Sequence, residues 1–109
     1  MDRKIVARYN DYILHEAMQR FEIKPDAITL LDGFESFIYE FNRPDGEFIL
    51  RIGHSQRRTP EMIAGEVDWI NYLAQGGAAV SRAILSQDDN LVEAIDDGQG
   101  GQFLATAFV

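Results

Sequence analysis

The sequence predicts an α+β domain with a leading N-terminal helix, an antiparallel sheet of about five strands, and a second helix packed between the third and fourth strands. Apolar residues recur every three or four positions in two long stretches, as in amphipathic helices. The remaining apolar segments are short and are separated by turn sequences rich in Gly, Pro and Asp, which is typical of strands joined by hairpins. A length of 109 residues suits one small domain.

The first helix is predicted as one continuous element over 3–22. An apolar stripe with a four-residue spacing predicts it: Ile5, Tyr9, Ile13, Ala17 and Phe21. Pro25 ends the helix because a residue that precedes proline is pushed out of the α conformation. Residues 1–25 are therefore interpreted as a leading helical segment and 26–109 as the main domain.

Three strands follow the leading segment. The first begins at Ile28 and ends at an Asp-Gly turn, and the second, 37–42, alternates aromatic and more polar residues. The turn Arg43-Pro44-Asp45-Gly46 leads to a mostly apolar third strand over 48–52. Residues 53–58 are polar and are predicted to form a loop.

The second helix is predicted from Thr59, as N-cap, to a Gly76-Gly77 cap. Strands are then predicted at 83–86, 91–95 and 102–109. Because the sequence stops on apolar residues in mid-strand, we expect a chain cut from a longer protein.

Charge and composition exclude several classes of function. The net charge is −8, from 10 basic and 18 acidic residues, which argues against general binding to nucleic acid or to anionic membranes. The sequence holds no cysteine, so disulfides and thiolate metal sites are excluded. It also has no apolar run of membrane-spanning length and no signal-peptide core, so a cytoplasmic location is expected.

Two charged residues and one turn could carry chemistry. Arg51 interrupts the third strand; it either points to solvent or binds a phosphate or carboxylate through its guanidinium. Glu66 is either an ordinary solvated helix residue or the partner of Arg51, if the helix packs across the sheet. The turn LDGFESF is either a plain hairpin or a weak phosphate loop that offers backbone N–H groups. The two histidines and the paired aspartates of the late turns do not predict a metal site.

The ordered set LLDGFESFIYEF, FILRIG, EMIAGEVDWINYLAQGGAAV, AILSQDDN and QFLATAFV resembles the N-terminal lobe of the aminoglycoside phosphotransferase and choline kinase-like family. Members of this family share the protein-kinase-like fold. The resemblance covers 27–109. It implies a cofactor pair of ATP and Mg²⁺, and it places the catalytic residues and the metal ligands in a second lobe beyond Val109.

The resemblance also implies a role for each matching residue. The expected nucleotide-binding residues are Gly33, Phe34, Glu35 and Ser36 in the loop over the phosphates, Ile38 and Ile49 against the purine, Arg51 at the phosphates, Glu66 as its partner, and Ala107, Phe108 and Val109 in the hinge beside the adenine. Arg51 stands where the family usually has lysine, which changes the geometry of the phosphate contact.

The function implied is that of the ATP-binding lobe of a kinase that transfers the γ-phosphate to a hydroxyl of an antibiotic or metabolite. Its partners would be the nucleotide and a small-molecule hydroxyl acceptor, and the lobe would be inactive alone. The alternative is a non-catalytic α+β interaction module or a pseudokinase-like domain. An isolated lobe would expose apolar surface, so self-association is also expected.

Overall fold

The computed structural model describes residues 3–32, 36–55, 59–76 and 82–109. Its helices are α1 (Arg3–Arg8), α2 (Asp11–Arg20) and α3 (Pro60–Gln75), with a short 3-10 turn at Pro25–Ala27. Its strands are β1 (Ile28–Asp32), β2 (Phe37–Arg43), β3 (Gly46–His54), β4 (Ala83–Ile84), β5 (Glu93–Asp96) and β6 (Gln102–Phe108). The strands form one antiparallel sheet in the order β1-β2-β3-β6-β4, and β5 also pairs with β6.

The N-terminal helical segment is broken in two, so the prediction of one continuous helix was wrong. Asn10 adopts an extended backbone, and its side-chain oxygen accepts a hydrogen bond from the amide of Ile13 at 3.1 Å. Asparagine competes well for this capping role, and a new helix therefore starts at Asp11. The predicted apolar stripe is nevertheless present in α2, where Ile13 and Ala17 are buried together with Phe21 just beyond the helix.

The hairpin between β2 and β3 is present as predicted, with Arg43 directly opposite Gly46. Arg43 contacts the carboxylate of Asp45 and also donates to the carbonyl oxygen of Phe21 at 3.2 Å. The hairpin is thereby joined to the end of α2. β3 is longer than predicted: Gly53 and His54, expected in a loop, continue the pairing with β6.

Both faces of the sheet are covered by a helix. One apolar cluster lies on the face toward α2 and takes alternate residues of β3, among them Leu50 and Ile52. A second cluster lies on the face toward α3, where Ile63 and Val67 contact Leu104 of β6. Thr59 caps α3 as predicted, since its hydroxyl accepts from the amide of Met62 at 3.2 Å. Gly77 lies outside the described residues.

The last strands are shorter than predicted. The hydroxyl of Ser86 accepts hydrogen bonds from the amides of Asp88 and Asn90, which turns the chain out of the sheet after Ile84. β5 accordingly begins at Glu93 rather than at position 91. Within the described part of the chain, no helix has the length and apolar character needed to cross a bilayer.

Candidate functional site

An ion pair joins the middle of β3 to α3. The Nη2 atom of Arg51 lies 2.6 Å from the Oε1 atom of Glu66, and the two side chains are 26% and 24% exposed. The guanidinium carbon of Arg51 also lies 5.3 Å from the centre of the Phe108 ring. Arg51 is thus not a solvated surface cation, and the expected pairing with Glu66 is present. A charge-assisted hydrogen bond in such a half-buried place is stronger than one at an open surface.

The position of this pair follows from the packing of α3 on the sheet. Val67 is fully buried beneath the helix, and Glu66 is its neighbour in the chain. Arg51 leaves β3 on the face that α3 covers, because Leu50 and Ile52 occupy the opposite face. The strand and the helix therefore bring an arginine and a glutamate together at the edge of the second apolar cluster.

Strand register places two further side chains beside Arg51. Ile38 of β2 lies opposite Arg51 on one side, and Thr106 of β6 lies opposite it on the other. Thr106 is only 1% exposed, and its hydroxyl is the one buried side-chain polar atom among the described residues with no hydrogen-bond partner. The three residues form a row across the face toward α3.

The same face extends along β3 on both sides of Arg51. Ile49 lies toward Phe108, its partner on β6. Gly53 lies toward Ser36, whose hydroxyl would be 3.5 Å from a Cβ atom built on that glycine. The four steps along the strand from Ile49 to Gly53 span about 13 Å. Over that distance the face changes from apolar at Ile49, through cationic at Arg51, to small and polar at Gly53.

The expected hinge residues are not all on this face. The side chain of Ala107 is buried in the cluster toward α2, on the opposite side of the sheet from Arg51. Phe108 belongs to the cluster toward α3, and Val109 is exposed. The amide of Val109 donates to the carbonyl oxygen of Arg82 at 2.9 Å, so this group is already engaged next to β4. Three loop residues of the prediction, Gly33, Phe34 and Glu35, lie outside the described residues.

A second polar cluster was missed by the sequence analysis. The Nε2 atom of His54 lies 2.7 Å from the Oδ2 atom of Asp97, and Nη1 of Arg8 lies 3.1 Å from that same oxygen. The side chains of His54 and Asp97 are almost completely buried. Alternation along β3 could have indicated a buried His54, but nothing in the local sequence points to its partner.

Asp97 is held as a carboxylate within this cluster. Burial alone would raise its pKa, but hydrogen bonds outweigh burial and hold the pKa of Asp97 well below its usual range. The donors are His54, the backbone amides of Gln99 and Gly101, and Arg8. The described residues contain no group of three acidic or histidine side chains placed to bind a metal.

Comparison with known proteins gives relatives among small-molecule kinases. No family model matches the chain. Amicoumacin kinase of Bacillus subtilis (strain 168) is 33% identical over 100 residues, which are 92% of this chain and 30% of that protein. The chain is homologous to amicoumacin kinase. The chain spans about a third of the length of the curated relative that it matches.

Two solved structures share the fold. The structure of amicoumacin kinase hAmiN in complex with AMP-PNP, Ca²⁺ and Ami matches with a TM-score of 0.94 and 37% identity over 99% of this chain and 33% of that one. The microcompartment-associated aminopropanol kinase matches with a TM-score of 0.75 and 21% identity over 91% of this chain and 31% of that one. The predicted α+β fold of a kinase N-terminal lobe is confirmed by this likeness.

Proposed function

We propose that the chain is the nucleotide-binding lobe of an ATP-dependent small-molecule phosphotransferase of the aminoglycoside phosphotransferase and choline kinase-like family. The observation that carries the proposal is the Arg51–Glu66 ion pair on a face of the sheet that also presents Ile38 and Ile49. The homologous amicoumacin kinase has been solved with AMP-PNP, which supports a nucleotide as the ligand.

In this proposal Arg51 binds the phosphates and Glu66 orients it. A guanidinium carries five N–H donors in a rigid plane, and the Nη2 group of Arg51 is committed to Glu66. Because that bond fixes the plane of the guanidinium, the other N–H groups of Arg51 would bind an anion without a further loss of side-chain conformational entropy. Replacing the usual lysine by arginine provides a planar, bidentate contact instead of a point charge.

The apolar part of the same face would receive the purine. Ile38 lies in the row that contains Arg51, and Ile49 lies next to that row on the same face; both are half-buried, so a flat apolar ring could cover them. The hinge from Ala107 to Val109 would lie at the edge of the base, and residues 33–36 would cover the phosphates. These roles come from the family resemblance.

The proposed reaction also needs a divalent metal ion and a small molecule that carries the acceptor hydroxyl. The homologous complex contains Ca²⁺, and we propose Mg²⁺ for the working enzyme, held by the phosphates and by residues outside this chain. The acceptor hydroxyl oxygen would form a bond to the γ-phosphorus while the bond to the β–γ bridging oxygen breaks. The hydroxyl proton would pass to a base in the rest of the protein. The 109 residues alone would then bind nucleotide but not transfer phosphate.

A titration of the chain with AMP-PNP and Mg²⁺ tests the proposal. Binding is measured from the shifts of the backbone amide signals. Arg51→Gln should weaken binding by about tenfold to a hundredfold, because a hydrogen bond to a charged group contributes roughly 1.5–3 kcal/mol. Glu66→Gln should weaken binding less, since the cation remains. Lys24→Gln removes the same charge from an exposed site and is the matched control, for which no change is expected.

Two results would contradict the proposal. Binding of AMP-PNP that is equally strong in Arg51→Gln and in Lys24→Gln would remove Arg51 from the site. Absence of any binding to the unaltered chain, at millimolar nucleotide and with a folded spectrum, would favour the non-catalytic interaction module instead.

A further inference from the structure

Arg8, the last residue of α1, and Tyr9, which follows it, attach α1 to the sheet. The ring of Tyr9 stacks on Phe37 with 3.8 Å between the ring centres and an angle of 13°. The hydroxyl of Tyr9 lies 2.6 Å from the hydroxyl of Tyr39. Tyr9 therefore contacts β2 by both its apolar face and its polar tip.

Arg8 makes the second attachment. Its Nη1 atom lies 3.1 Å from Oδ2 of Asp97, the same oxygen that contacts His54. His54 is the last residue of β3, and Asp97 directly follows β5. Through this shared oxygen, Arg8 is connected to the end of β3 and to the turn between β5 and β6.

Both attachments meet the sheet at the same end of the β2–β3 pair. Phe37 lies opposite Ile52 in the register, and His54 follows two residues later. The neighbours of Phe37 and His54 in the chain are Ser36 and Gly53. These two lie against each other on the opposite face, next to the row that contains Arg51. Arg8 and Tyr9 thus contact these strand ends from the face of the sheet opposite Arg51. The same strand ends carry Ser36 and Gly53, the polar part of the candidate site.

The two residues before Arg8 are open to solvent. Val6 and Ala7 are exposed, and the extended backbone of Asn10 separates α1 from α2. Tyr9 is by contrast well desolvated: burial and the hydrogen bond with Tyr39 both raise its pKa above the ordinary value. Among the described side chains of residues 6–9, the hydrogen bonds and ring contacts with the rest of the fold are therefore made by Arg8 and Tyr9.

We propose that Arg8 and Tyr9 are positioning residues. Together these two residues form a strap that holds the Ser36–Gly53 end of the β2–β3 pair in place. The proposal rests on the proposed function in so far as this end of the site receives phosphates. The strap contacts the end of β2 through Tyr9 and, through Asp97, the end of β3, which is also paired with β6. Loosening it would move Ser36 and Gly53 while the hairpin at Arg43 stays closed.

Hydrogen exchange of the chain without nucleotide tests the strap directly. Tyr9→Ala and Arg8→Gln should speed exchange in peptides covering 36–39 and 52–55 by about tenfold, with little change over 42–47. Tyr9→Phe keeps the stacked ring and should restore most of the protection. Tyr12→Ala removes a 62% exposed tyrosine from the same segment and should change none of these peptides.

A variant of the core separates the strap from general loss of stability. Phe21→Leu disturbs the buried end of α2 near Arg43 and should speed exchange over 42–47 at least as much as at 36–39 and 52–55. If Tyr9→Ala gives this same uniform pattern, or if it leaves 36–39 and 52–55 protected, the strap is refuted.

Nucleotide binding forms an independent arm of the experiment. With AMP-PNP and Mg²⁺ as the probe, Tyr9→Ala should weaken binding by about threefold to tenfold, and Tyr9→Phe should recover it. Unchanged affinity in a chain whose strand ends exchange faster would show that the strap does not serve the site. If the unaltered chain fails to bind AMP-PNP, the proposed function fails, while the exchange pattern still decides whether the strap exists.

Discussion

Asp97 and His54 are 43 residues apart in the sequence, yet the carboxylate oxygen Oδ2 and the ring nitrogen Nε2 lie 2.7 Å apart with both side chains almost fully buried. A carboxylate in such a place needs several donors, because an unpaired buried charge is very unfavourable. Asp97 has them from a histidine, an arginine and two backbone amides. This cluster joins three parts of the chain and should therefore dominate the response of the fold to acid.

The free energy of unfolding should fall in acid because of Asp97. Its pKa is lower in the folded chain than in the unfolded chain, so its contribution is complete above the unfolded value of about 4 and is lost as pH falls toward the folded value. Asp97→Asn should be less stable at pH 7, and the difference from the unaltered chain should shrink below about pH 4. Urea unfolding at pH 7, 5, 4 and 3 measures this. A difference that stays constant with pH would contradict the assignment.

Gly101→Ala should destabilise the fold by about 1–3 kcal/mol, because it overpacks a closed cluster. A Cβ atom there would lie 2.7 Å from Cε1 of His54 and 2.9 Å from Oδ2 of Asp97. Gly65→Ala in α3 is the matched control: its Cβ atom would meet nothing within 4 Å, and alanine favours a helix by up to about 1 kcal/mol. Thermal unfolding should move in opposite directions for the two variants. A loss of stability in both would show that the crowding at Gly101 is not the cause.

Alkaline pH should destabilise the fold through the tyrosine pair. Burial raises the pKa values of both Tyr9 and Tyr39 above the ordinary value near 10. Because the folded chain keeps these protons longer, the stabilisation is complete below about pH 10 and is lost as pH rises toward the folded values. Absorbance at the phenolate band should show two of the four tyrosines ionising only together with unfolding. Ionisation of all four before unfolding would contradict this.

Thr106→Val should leave the stability unchanged or raise it by about 1 kcal/mol. The Thr106 hydroxyl is buried without a hydrogen-bond partner, and valine has nearly the same shape without the polar atom. The exposed Thr29 on β1 offers the control Thr29→Val, for which no gain from relieving an unpaired hydroxyl is expected. Chemical denaturation compares the two. A loss above about 1 kcal/mol in Thr106→Val would show that the hydroxyl has a partner in solution.

Self-association of the 109-residue chain should depend on exposed aromatic residues of α3. Trp69 and Tyr72 are 60% and 67% exposed and stack on each other with 5.7 Å between ring centres. Such paired apolar surface favours contact between molecules at high concentration. Light scattering should show a larger mass at high concentration that falls when Trp69→Gln and Tyr72→Gln are combined. A monomer at all concentrations would refute the expectation.

Elements set by local sequence were predicted well, because their signals lie within a few residues. The hairpin at Arg43–Gly46 is specified by a Pro-Asp-Gly turn, and α3 by a Thr-Pro start with a regular apolar stripe. The break at Asn10 was missed because the apolar spacing continues on both sides of it, whereas one side-chain hydrogen bond decides the local conformation.

Contacts between distant residues could be predicted only where the topology was known. The Arg51–Glu66 pair could be proposed from the sequence, because a helix that follows a strand in this fold class packs back on the sheet. The His54–Asp97 contact was not, since it needs β3 to continue past Gly53 and needs the register of β6 against both neighbours. The three side chains of residues 33–35 lie outside the described residues, and their predicted roles stay predictions.

Side chains along β3 point alternately to the two faces of the sheet. The face on which Arg51 lies therefore depends on the number of residues between the hairpin and Arg51. Leu50, Ile52 and His54 face one side, while Ile49, Arg51 and Gly53 face the other. Deleting or inserting one residue between the hairpin and Arg51 would exchange the two sets. The guanidinium would then lie in the apolar interior, and Leu50 (after an insertion) or Ile52 (after a deletion) would take its place beside Glu66. Homologous lobes with the same site should therefore vary in length at turns and keep the number of residues in this strand constant.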